Sequence, residues 1–227
     1  VRNNTIVFNE SGLDLIMLYT PVSSIEYKKD VHNNTIIGNN VGGGIFDAST
    51  DFNSFYGNLI FGNIYDKESS ISPVSDNIFK YNITPIFRIK NGDSEASFVD
   101  YDNTNIISDY YLGSGVKAEE IYSLFEGTYD SSTGLFTPVL ADNGGFTPTV
   151  ALKSDKLSDG TSIRFPRLEN VLTDQRGVER FDSTCMGAYE MRCNAVETVL
   201  KDTVMVGDSY TFIDKNLDDV CQKVGSY

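Results

Sequence analysis

Arg88 and Lys90 are two basic residues that lie shortly before three acidic residues in the sequence. The segment Arg88-Ile-Lys90 is followed by Asp93, Asp100 and Asp102. Carboxylates that hold Ca²⁺ beside an Arg or Lys base could remove a proton from an acidic sugar. Loop carboxylates are equally expected in a chain with 32 acidic and 18 basic residues. We therefore predict no catalytic residue here, and we retain Asp100 and Asp102 as calcium candidates.

The sequence contains few of the residue combinations that known catalytic and metal sites require. Arg88-Ile-Lys90 matches the RIK segment with which pectin hydrolases hold a substrate carboxylate, but the NTD, DD and GHG segments of those enzymes do not precede it. His32 is the single histidine and cannot build a zinc site alone. Asp142-Asn-Gly-Gly145 could ligate calcium through Asp142, although a tight turn explains it better. We predict a protein that is not an enzyme and has no cofactor, with calcium as the open alternative.

Aromatic side chains give the one positive prediction of a binding site. The chain has 13 Tyr and 14 Phe, and several lie among the repeats described below. If they face outward along a stack of strands they would form a platform for sugar rings, whereas aromatics that fill the interior would not. The candidates are Tyr56, Phe61, Tyr81, Tyr101, Tyr110 and Tyr111.

A repeated asparagine frame organises the first half of the chain. The frame places Asn at its first and sixth positions with apolar residues or Thr between them. It occurs at Asn4–Asn9, Asn34–Asn39, Asn58–Asn63 and Asn77–Asn82, with starts separated by 30, 24 and 19 residues. A fifth, degenerate copy begins at Asn103.

Short apolar strands at this spacing favour a parallel β-helix. A strand of five or six residues cannot bury its inner face alone, but parallel stacking about 4.8 Å apart closes a continuous core. Stacked amides can hydrogen-bond as a ladder, which we predict for Asn4, Asn34, Asn58 and Asn77. Gly42 to Gly44 is predicted to form a corner with positive φ. Ordinary turns between the hairpin strands of a sandwich are the alternative.

Three Asn-x-Thr glycosylation sequons overlap this frame. They begin at Asn3, Asn33 and Asn82. Because they coincide with the repeat, we interpret them as its by-products.

Composition limits the partners. The formal net charge of -14 and the pI near 4.4 repel phosphate backbones, so nucleic acid is excluded as a partner. The longest apolar run, Leu15 to Tyr19, has a strand's length and cannot insert into a membrane. A first rung with a bare strand edge also leads us to expect further turns of the same chain upstream of Val1.

Patterns after the repeats predict a cap. Ile83 to Lys90 alternates like one strand, with Arg88 and Lys90 facing outward. Ser114 can cap a helix of about three turns whose apolar stripe is Ala118, Ile121, Tyr122 and Phe125. We predict β-helix turns over residues 1–113, a capping region over 114–192 at the C-terminal end of the stack, and an incomplete β-rich tail over 193–227.

Motifs in the capping region carry a family resemblance. Ala141-Asp-Asn-Gly-Gly-Phe-Thr-Pro-Thr149, Thr173-Asp-Gln-Arg-Gly-Val178 and Met186-Gly-Ala-Tyr-Glu190 resemble the C-terminal signature of secreted bacterial right-handed β-helix proteins. These form the choice-of-anchor and polymorphic-outer-membrane-like group. Ser154–Gly160 and Cys185-Met186 depart from the family's pattern. The resemblance implies a right-handed, all-β parallel β-helix closed by these motifs.

The tail resembles the opening strands of a small β-sandwich module of Bacteroidetes surface proteins. Its Cys193 and Cys221 either form a disulfide or remain free thiols; a bridge would contribute roughly 3 to 4 kcal/mol on the loop-entropy model. The resemblance implies an extracellular or cell-surface location.

Three functions follow as hypotheses. The first is a non-enzymatic, adhesin-like scaffold that presents a face to glycans or to host or environmental surface proteins. The second is a polysaccharide lyase or hydrolase whose catalytic turns lie upstream, which rests on analogy of fold. The third is a structural spacer.

Overall fold

A computed structural model of the chain describes residues 1–17, 29–48, 53–65, 70–71, 78–84, 88–91, 94–97, 104–107 and 116–192. The chain divides into two compact units, Val1–Met191 and Arg192–Tyr227. Several predicted residues lie outside the described ranges: Asn77, Asp93, Asp100, Tyr101, Asp102, Tyr110, Tyr111, Cys193 and Cys221.

Short strands make up most of the regular structure, as the sequence predicts. In chain order they are β1 (Thr5–Val7), β2 (Glu10–Ser11), β3 (Ile16–Met17), β4 (Lys29–His32), β5 (Thr35–Ile37), β6 (Asn40–Val41), β7 (Phe46–Ala48), β8 (Asn53–Tyr56), β9 (Leu59–Phe61), β10 (Ile64–Tyr65), β11 (Ser70–Ile71), β12 (Ile78–Lys80), β13 (Ile83–Thr84), β14 (Arg88–Asn91), β15 (Ser94–Ser97), β16 (Ile106–Ile107), β17 (Gly127–Tyr129), β18 (Phe136–Pro138), β19 (Arg164–Pro166) and β20 (Ser183–Cys185). The helix α1 spans Ala118–Tyr122.

The first strands stack in parallel, position over position. One sheet has the order β1-β5-β9-β13-β16, and three others have the orders β10-β6-β2, β15-β14-β11-β7-β3 and β12-β8-β4. We call the groups β1–β3, β4–β7, β8–β11 and β12–β14 rungs 1 to 4. Each rung therefore places equivalent residues over those of the rung before, as in the register Ile6↔Ile36↔Ile60.

Two columns of asparagine side chains run through the rungs. In the first, each Nδ2 donates to Oδ1 of the next Asn at 2.9 to 3.1 Å; its members are Asn4, Asn34, Asn58, Asn82 and Asn105. In the second, Asn9 donates to Asn39 and Asn39 to Asn63 at 2.8 Å. Asn58 therefore donates to Asn82, at the end of the fourth frame, where the sequence predicts Asn77.

A residue with left-handed backbone precedes every asparagine of the two columns except Asn105. Asn3, Asn33, Gly57 and Tyr81 hold this corner of the first column, and Phe8, Gly38 and Gly62 hold it in the second, with φ between 53° and 70°. The predicted positive φ at Gly42 to Gly44 is wrong. Gly42 and Gly43 instead permit close approach to rung 1, because a Cβ on Gly43 would lie 2.5 Å from the Asp14 amide nitrogen and one on Gly42 would lie 3.1 Å from the Gly12 carbonyl oxygen.

Burial of the sequons agrees with their interpretation as part of the repeat. Asn33 and Asn82 are buried. An oligosaccharide could not be carried on either side chain in the folded protein.

Two hydrophobic cores lie on opposite faces of the sheet that begins with β1. Ile36 and Ile60 point into the stack, where they pack with Val31, Val41, Ile45 and Phe55. Ile37, Leu59 and Phe61 point the other way and pack against residues from Ile121 to Met186. The triplets Thr-Ile-Ile and Leu-Ile-Phe are apolar throughout because both of their faces are covered.

Residues 116–191, which we call the cover, lie along the side of the stack. Their hydrogen bonds reach rungs 1 to 3, in the pairs Asn3–Thr173, Thr5–Gln175, Thr35–Ala188, Gly57–Gly187 and Gly62–Phe136. The expectation of a cap at the C-terminal edge is therefore wrong for this part of the chain. The outer faces of β5 and β9 require it, since they would otherwise leave Ile37 and Phe61 in water.

The predicted helix is shorter than expected. Lys117 occupies its N-cap position, where the sequence predicts Ser114, and the helix ends at Tyr122. Phe125 pairs instead with Leu152 in an antiparallel bridge. Ile121 and Phe125 are both buried, so the apolar stripe is real although the helix covers only part of it.

The predicted single strand from Ile83 to Lys90 is also wrong. Its two ends belong to different sheets, because β13 pairs with β9 and β16 while β14 pairs with β11 and β15. Ile83 and Thr84 are both buried, which an alternating strand would not allow.

Candidate functional site

Tyr56 and Tyr81 form the exposed margin of an aromatic cluster on one corner of the stack. Their ring centroids are 5.2 Å apart in an edge-to-face arrangement, and both are half-buried. Phe165 of the cover completes the cluster, 5.4 Å from Tyr56 and stacked on Tyr81 at 5.6 Å. Three rings from two rungs and the cover thus meet at one place.

Backbone geometry positions these rings. Tyr56 ends β8, and Tyr81 follows β12 with φ 55° at the corner that Gly57 occupies one rung earlier. A side chain on Gly57 would collide with Phe165, whose Cζ lies 2.2 Å from the Cβ position. Glycine at this corner therefore lets Phe165 approach the stack and pack against both tyrosines.

The Tyr56 hydroxyl is partly withdrawn from water. It lies 3.5 Å from the Pro166 carbonyl oxygen, to which it donates. Burial raises the pKa of Tyr56, and the neighbouring Tyr81 adds to the shift. The hydroxyl therefore remains a neutral donor at physiological pH, which suits hydrogen bonding to a sugar and does not suit base catalysis.

The remaining predicted aromatics do not extend this cluster within the described residues. Phe61 is buried and stacks on Tyr129 of the cover at 5.9 Å. Tyr101, Tyr110 and Tyr111 lie outside the part of the chain that the structure describes. Two of the five predicted ligand-binding tyrosines are thus brought together.

No family model, curated protein or solved structure matches this chain. The site is therefore characterised by its own geometry alone.

A buried cluster of charges lies in the cover, and the sequence does not predict it. Arg164 contacts Asp155 at 2.5 Å and Glu190 at 3.1 Å, while Arg180 contacts the other Glu190 oxygen at 3.3 Å. Arg176 contacts Asp174 at 2.7 Å. Three cations are thus balanced by three carboxylates.

Glu190 is the centre of this cluster. Besides two arginines, its carboxylate accepts hydrogen bonds from the Thr184 hydroxyl and the Cys185 amide. Burial lowers the pKa of Arg180, and the Glu190 carboxylate opposes that shift. An arginine keeps its proton under such a shift, so the group acts as a permanent ion pair.

The charge cluster joins the segments that carry the family resemblance. Asp174 and Arg176 belong to Thr173–Val178, and Glu190 ends Met186–Glu190. Arg176 also lies over the Tyr189 ring, 3.6 Å from its centroid. The signal available in the sequence was this pairing of Asp-x-Arg with a later Glu, although nothing in the spacing shows that they meet.

Cys185 is a buried thiol beside the same carboxylate. Burial raises its pKa to about 12, with a further contribution from Glu190. A thiol that remains protonated at physiological pH is a poor nucleophile. This cysteine therefore serves the packing of the cover.

The described metal candidate forms a turn. Asp142 is exposed, and its carboxylate accepts a hydrogen bond from the Gly144 amide at 3.1 Å. Within the described ranges, no three His, Cys, Asp or Glu residues are grouped as a metal site would require. Asp100 and Asp102 lie outside those ranges.

The predicted basic and histidine residues are placed separately. Arg88 and Lys90 lie on β14, which forms an antiparallel hairpin with β15. The His32 Nε2 lies 2.9 Å from the Ser54 hydroxyl and 3.6 Å from an Asp30 carboxylate oxygen. Among the described helices none has the length and apolar character to span a bilayer.

Proposed function

We propose that the stack of rungs is a right-handed parallel β-helix that acts as a non-enzymatic scaffold. Its support is the parallel pairing of equivalent positions in successive rungs and the two amide columns that run through them. Short strands repeated with such register build a quasi-one-dimensional structure whose sides remain available for binding.

The pairing of buried charged groups with one another is the observation that supports a non-enzymatic scaffold. Within the described residues, the buried carboxylates Asp155, Asp174 and Glu190 and the buried Arg180 belong to one network of ion pairs and hydrogen bonds. The buried His32 lies elsewhere, against Ser54 and Asp30. A carboxylate that acts as a general acid or base exchanges a proton with the substrate, which this closed, charge-balanced arrangement does not favour.

The binding face we propose is the corner that holds Tyr56 and Tyr81. Two half-buried rings held rigidly by Phe165 lose little conformational entropy when a sugar ring packs on them. The resemblance to secreted bacterial β-helix proteins supports an extracellular or cell-surface location. In this proposal the protein is adhesin-like and meets glycans or surface proteins of a host or the environment.

A glycan array on the full chain tests the proposal. Binding of a glycan class by the wild-type chain, lost in Tyr81→Ala, is the expected result. Tyr129→Ala is the matched control, because it removes another half-buried tyrosine next to Phe61 and leaves the corner intact. Equal loss of glycan binding in both variants would show that general destabilisation explains the effect. It would contradict a binding face at this corner.

A uronate-degradation assay on the same preparation tests the non-enzymatic part. We expect no release of unsaturated uronate by the wild-type chain. Release of such products would replace the scaffold with a polysaccharide lyase. If no glycan or surface protein binds, the structural spacer becomes the better assignment.

A further inference from the structure

A column of side chains runs beside the proposed binding corner, on the outer face of the sheet β12-β8-β4. Its register is His32↔Tyr56↔Lys80, with one residue from each of three successive rungs. Val31 and Phe55, which precede His32 and Tyr56, are buried in the core of the stack. Because successive residues of a strand point to opposite faces, the column faces away from that core. Tyr56 therefore has a histidine one rung away on one side and a lysine one rung away on the other, at about 4.8 Å per rung.

Lys80 gives this corner an exposed positive charge. It ends β12 immediately before Tyr81, and it is exposed. The Gly57 amide donates to the Lys80 carbonyl at 3.1 Å, which fixes this backbone against the rung that carries Tyr56. A sugar ring packed on the two tyrosines would thus have a cation at its edge. Such a cation forms its strongest hydrogen bonds with an anionic oxygen, as in a carboxylate or a sulfate.

Two acidic side chains near this corner have basic partners of their own. Oδ1 of Asp30 lies 3.6 Å from the Nε2 of His32. Asp182 pairs at 3.1 Å with Arg167, in the segment of the cover that borders the corner. The charge of -14 on the whole chain acts weakly here, since repulsion beyond about 8–10 Å is screened at physiological ionic strength. Local contacts therefore decide which charge a ligand of this corner carries.

His32 adds a charge that depends on pH. It is the single histidine of the chain and is 4% exposed. The Ser54 hydroxyl, 2.9 Å from Nε2, can donate to the neutral imidazole and accept from the protonated one, so this contact is kept in both states. The imidazole lies edge-on to the Tyr56 ring, with centroids 6.2 Å apart. A proton on His32 therefore places a positive charge beside the binding corner.

Charged groups on both sides face the imidazole. The Asp30 carboxylate, on the same strand, favours the protonated ring. From rung 1, Arg2 pairs with His32 in a parallel bridge, and the Val1 ammonium donates to the Asp30 carbonyl at 2.7 Å. These two cations oppose protonation, as do burial and, more weakly, Lys80 two rungs away. Histidine changes its charge between pH 5 and 8, so this is the range over which the corner gains its second cation.

We propose that the corner selects negatively charged sugars, whose carboxylate or sulfate is held by Lys80, and that protonation of His32 strengthens this binding. The inference rests on the proposed glycan-binding function and adds the class of sugar and its control by pH. A carboxyl group with a pKa near 4 stays largely ionised at pH 5, so the change in affinity comes from the imidazole. By linkage, a bound acidic sugar must raise the pH at which His32 is half protonated.

An array of acidic glycans, each paired with its neutral counterpart, tests the class of ligand. The counterparts are the methyl esters of uronates and the desulfated forms of sulfated glycans. At pH 6 we expect the wild-type chain to bind the acidic member about three- to fivefold more tightly, and Lys80→Gln to lose most of that preference, whereas Lys80→Arg keeps it. Lys153→Gln is the matched control, because Lys153 is an exposed lysine of the cover that pairs with Glu126. It should keep the full preference.

A pH series on the untagged full chain tests the role of the histidine. Between pH 8 and pH 5 we expect the affinity for the acidic member to rise about threefold or more. The midpoint of that rise should coincide with the titration of His32 followed by proton NMR, which needs no variant because the chain has one histidine. Saturation with the acidic glycan should raise the NMR midpoint, and the neutral counterpart should leave it in place. His32→Gln should abolish the pH dependence.

The possible failures are distinguishable. Binding that requires Tyr81 but prefers the neutral member of each pair would overturn the inference and leave the binding function in place. An affinity for acidic glycans that is constant from pH 8 to pH 5 would overturn the role of His32. Equal glycan binding by the wild-type chain and by Tyr81→Ala would overturn the proposed function itself.

Discussion

Interior ladder asparagines are the polar residues on which the stack depends most. Asn58 is fully buried, and its Nδ2 donates to the Asn82 oxygen and to the Val31 carbonyl. Its Oδ1 accepts two hydrogen bonds from Asn34. Both the donor and the acceptor atoms of the Asn58 side chain therefore make hydrogen bonds within the stack, as a buried amide requires.

Replacing Asn58 by alanine removes the hydrogen bonds that its side chain makes with buried groups of three neighbours, Asn34, Asn82 and Val31. We expect Asn58→Ala to lower the free energy of unfolding by about 3 kcal/mol or more, measured by urea denaturation. Asn4→Ala is the control, because Asn4 is exposed and the backbone amide at position 4 still donates to Oδ1 of Asn34. A cost of about 1 kcal/mol or less is expected there; similar costs in the two variants would contradict the role of burial.

Phe8 stands where later rungs have glycine. Its φ is 57°, in the left-handed region that costs a side chain about 1–2 kcal/mol, and its ring is half exposed. We expect Phe8→Gly to raise the midpoint of thermal unfolding, since relief of strain exceeds the added entropy of the unfolded chain. Gly38→Ala should do the opposite, because the new Cβ would lie 2.5 Å from the Phe136 carbonyl oxygen. A lower midpoint for Phe8→Gly would show that its exposed ring makes a stabilising contact.

Cys185 should be silent to thiol reagents while the protein is folded. Its raised pKa, about 12, and its burial leave almost no thiolate at pH 8. In a Cys193→Ser, Cys221→Ser background, we expect DTNB to react with Cys185 only after denaturant is added. Rapid reaction of the folded protein would mean that the cover opens readily.

At the scale of elements, the charge cluster holds the cover's segments together. Glu190 reaches β19 through Arg164 and β20 through Thr184, while Arg180 joins it to Asn3 of rung 1 at 3.1 Å. Strands of three residues bury too little apolar surface to fix such loops alone. The buried ion pairs add contacts that hold these loops in one arrangement.

Removal of the negative charge of Glu190 should therefore strongly destabilise the folded protein. Glu190→Gln leaves Arg164 and Arg180 buried with less compensation, and we expect a loss of about 3–5 kcal/mol in the free energy of unfolding. Asp182→Asn is the matched control, because the Asp182 side chain is fully exposed in its pair with Arg167. That exposed pair should contribute under about 1 kcal/mol. A mild effect at Glu190 would indicate that water replaces the carboxylate.

The sequence predicts elements well where they repeat and poorly where they do not. The asparagine frame carries the strands, because a buried amide needs the same partner in every rung. The frame led to Asn77, which begins the fourth copy 19 residues after Asn58. The structure instead pairs Asn58 with Asn82, 24 residues later, which repeats the spacing between Asn34 and Asn58. The lateral position of the cover was hidden as well, because it depends on contacts between residues about 150 positions apart.

At the scale of the whole molecule, the excess of acidic residues acts against the folded state. With a formal charge of -14, like charges are brought closer together on folding. We expect raising NaCl from about 0.02 M to about 0.5 M to increase the thermal midpoint by roughly 2–4 °C, corresponding to about 1 kcal/mol of relieved repulsion. The buried pairs around Glu190 should be little affected. A midpoint that falls with salt would show that exposed ion pairs outweigh the repulsion.

The lateral cover also sets the order of events during synthesis. The ribosome synthesises rungs 1 to 3 before residues 116–191. Ile37 and Phe61, on the outer faces of β5 and β9, therefore remain exposed to water until the cover has been made. Contacts of such long sequence separation form slowly. The nascent chain thus passes through a partly folded, aggregation-prone state in which the apolar side chains of β5 and β9 are exposed. A chaperone that binds these two strands would favour packing of the cover over aggregation.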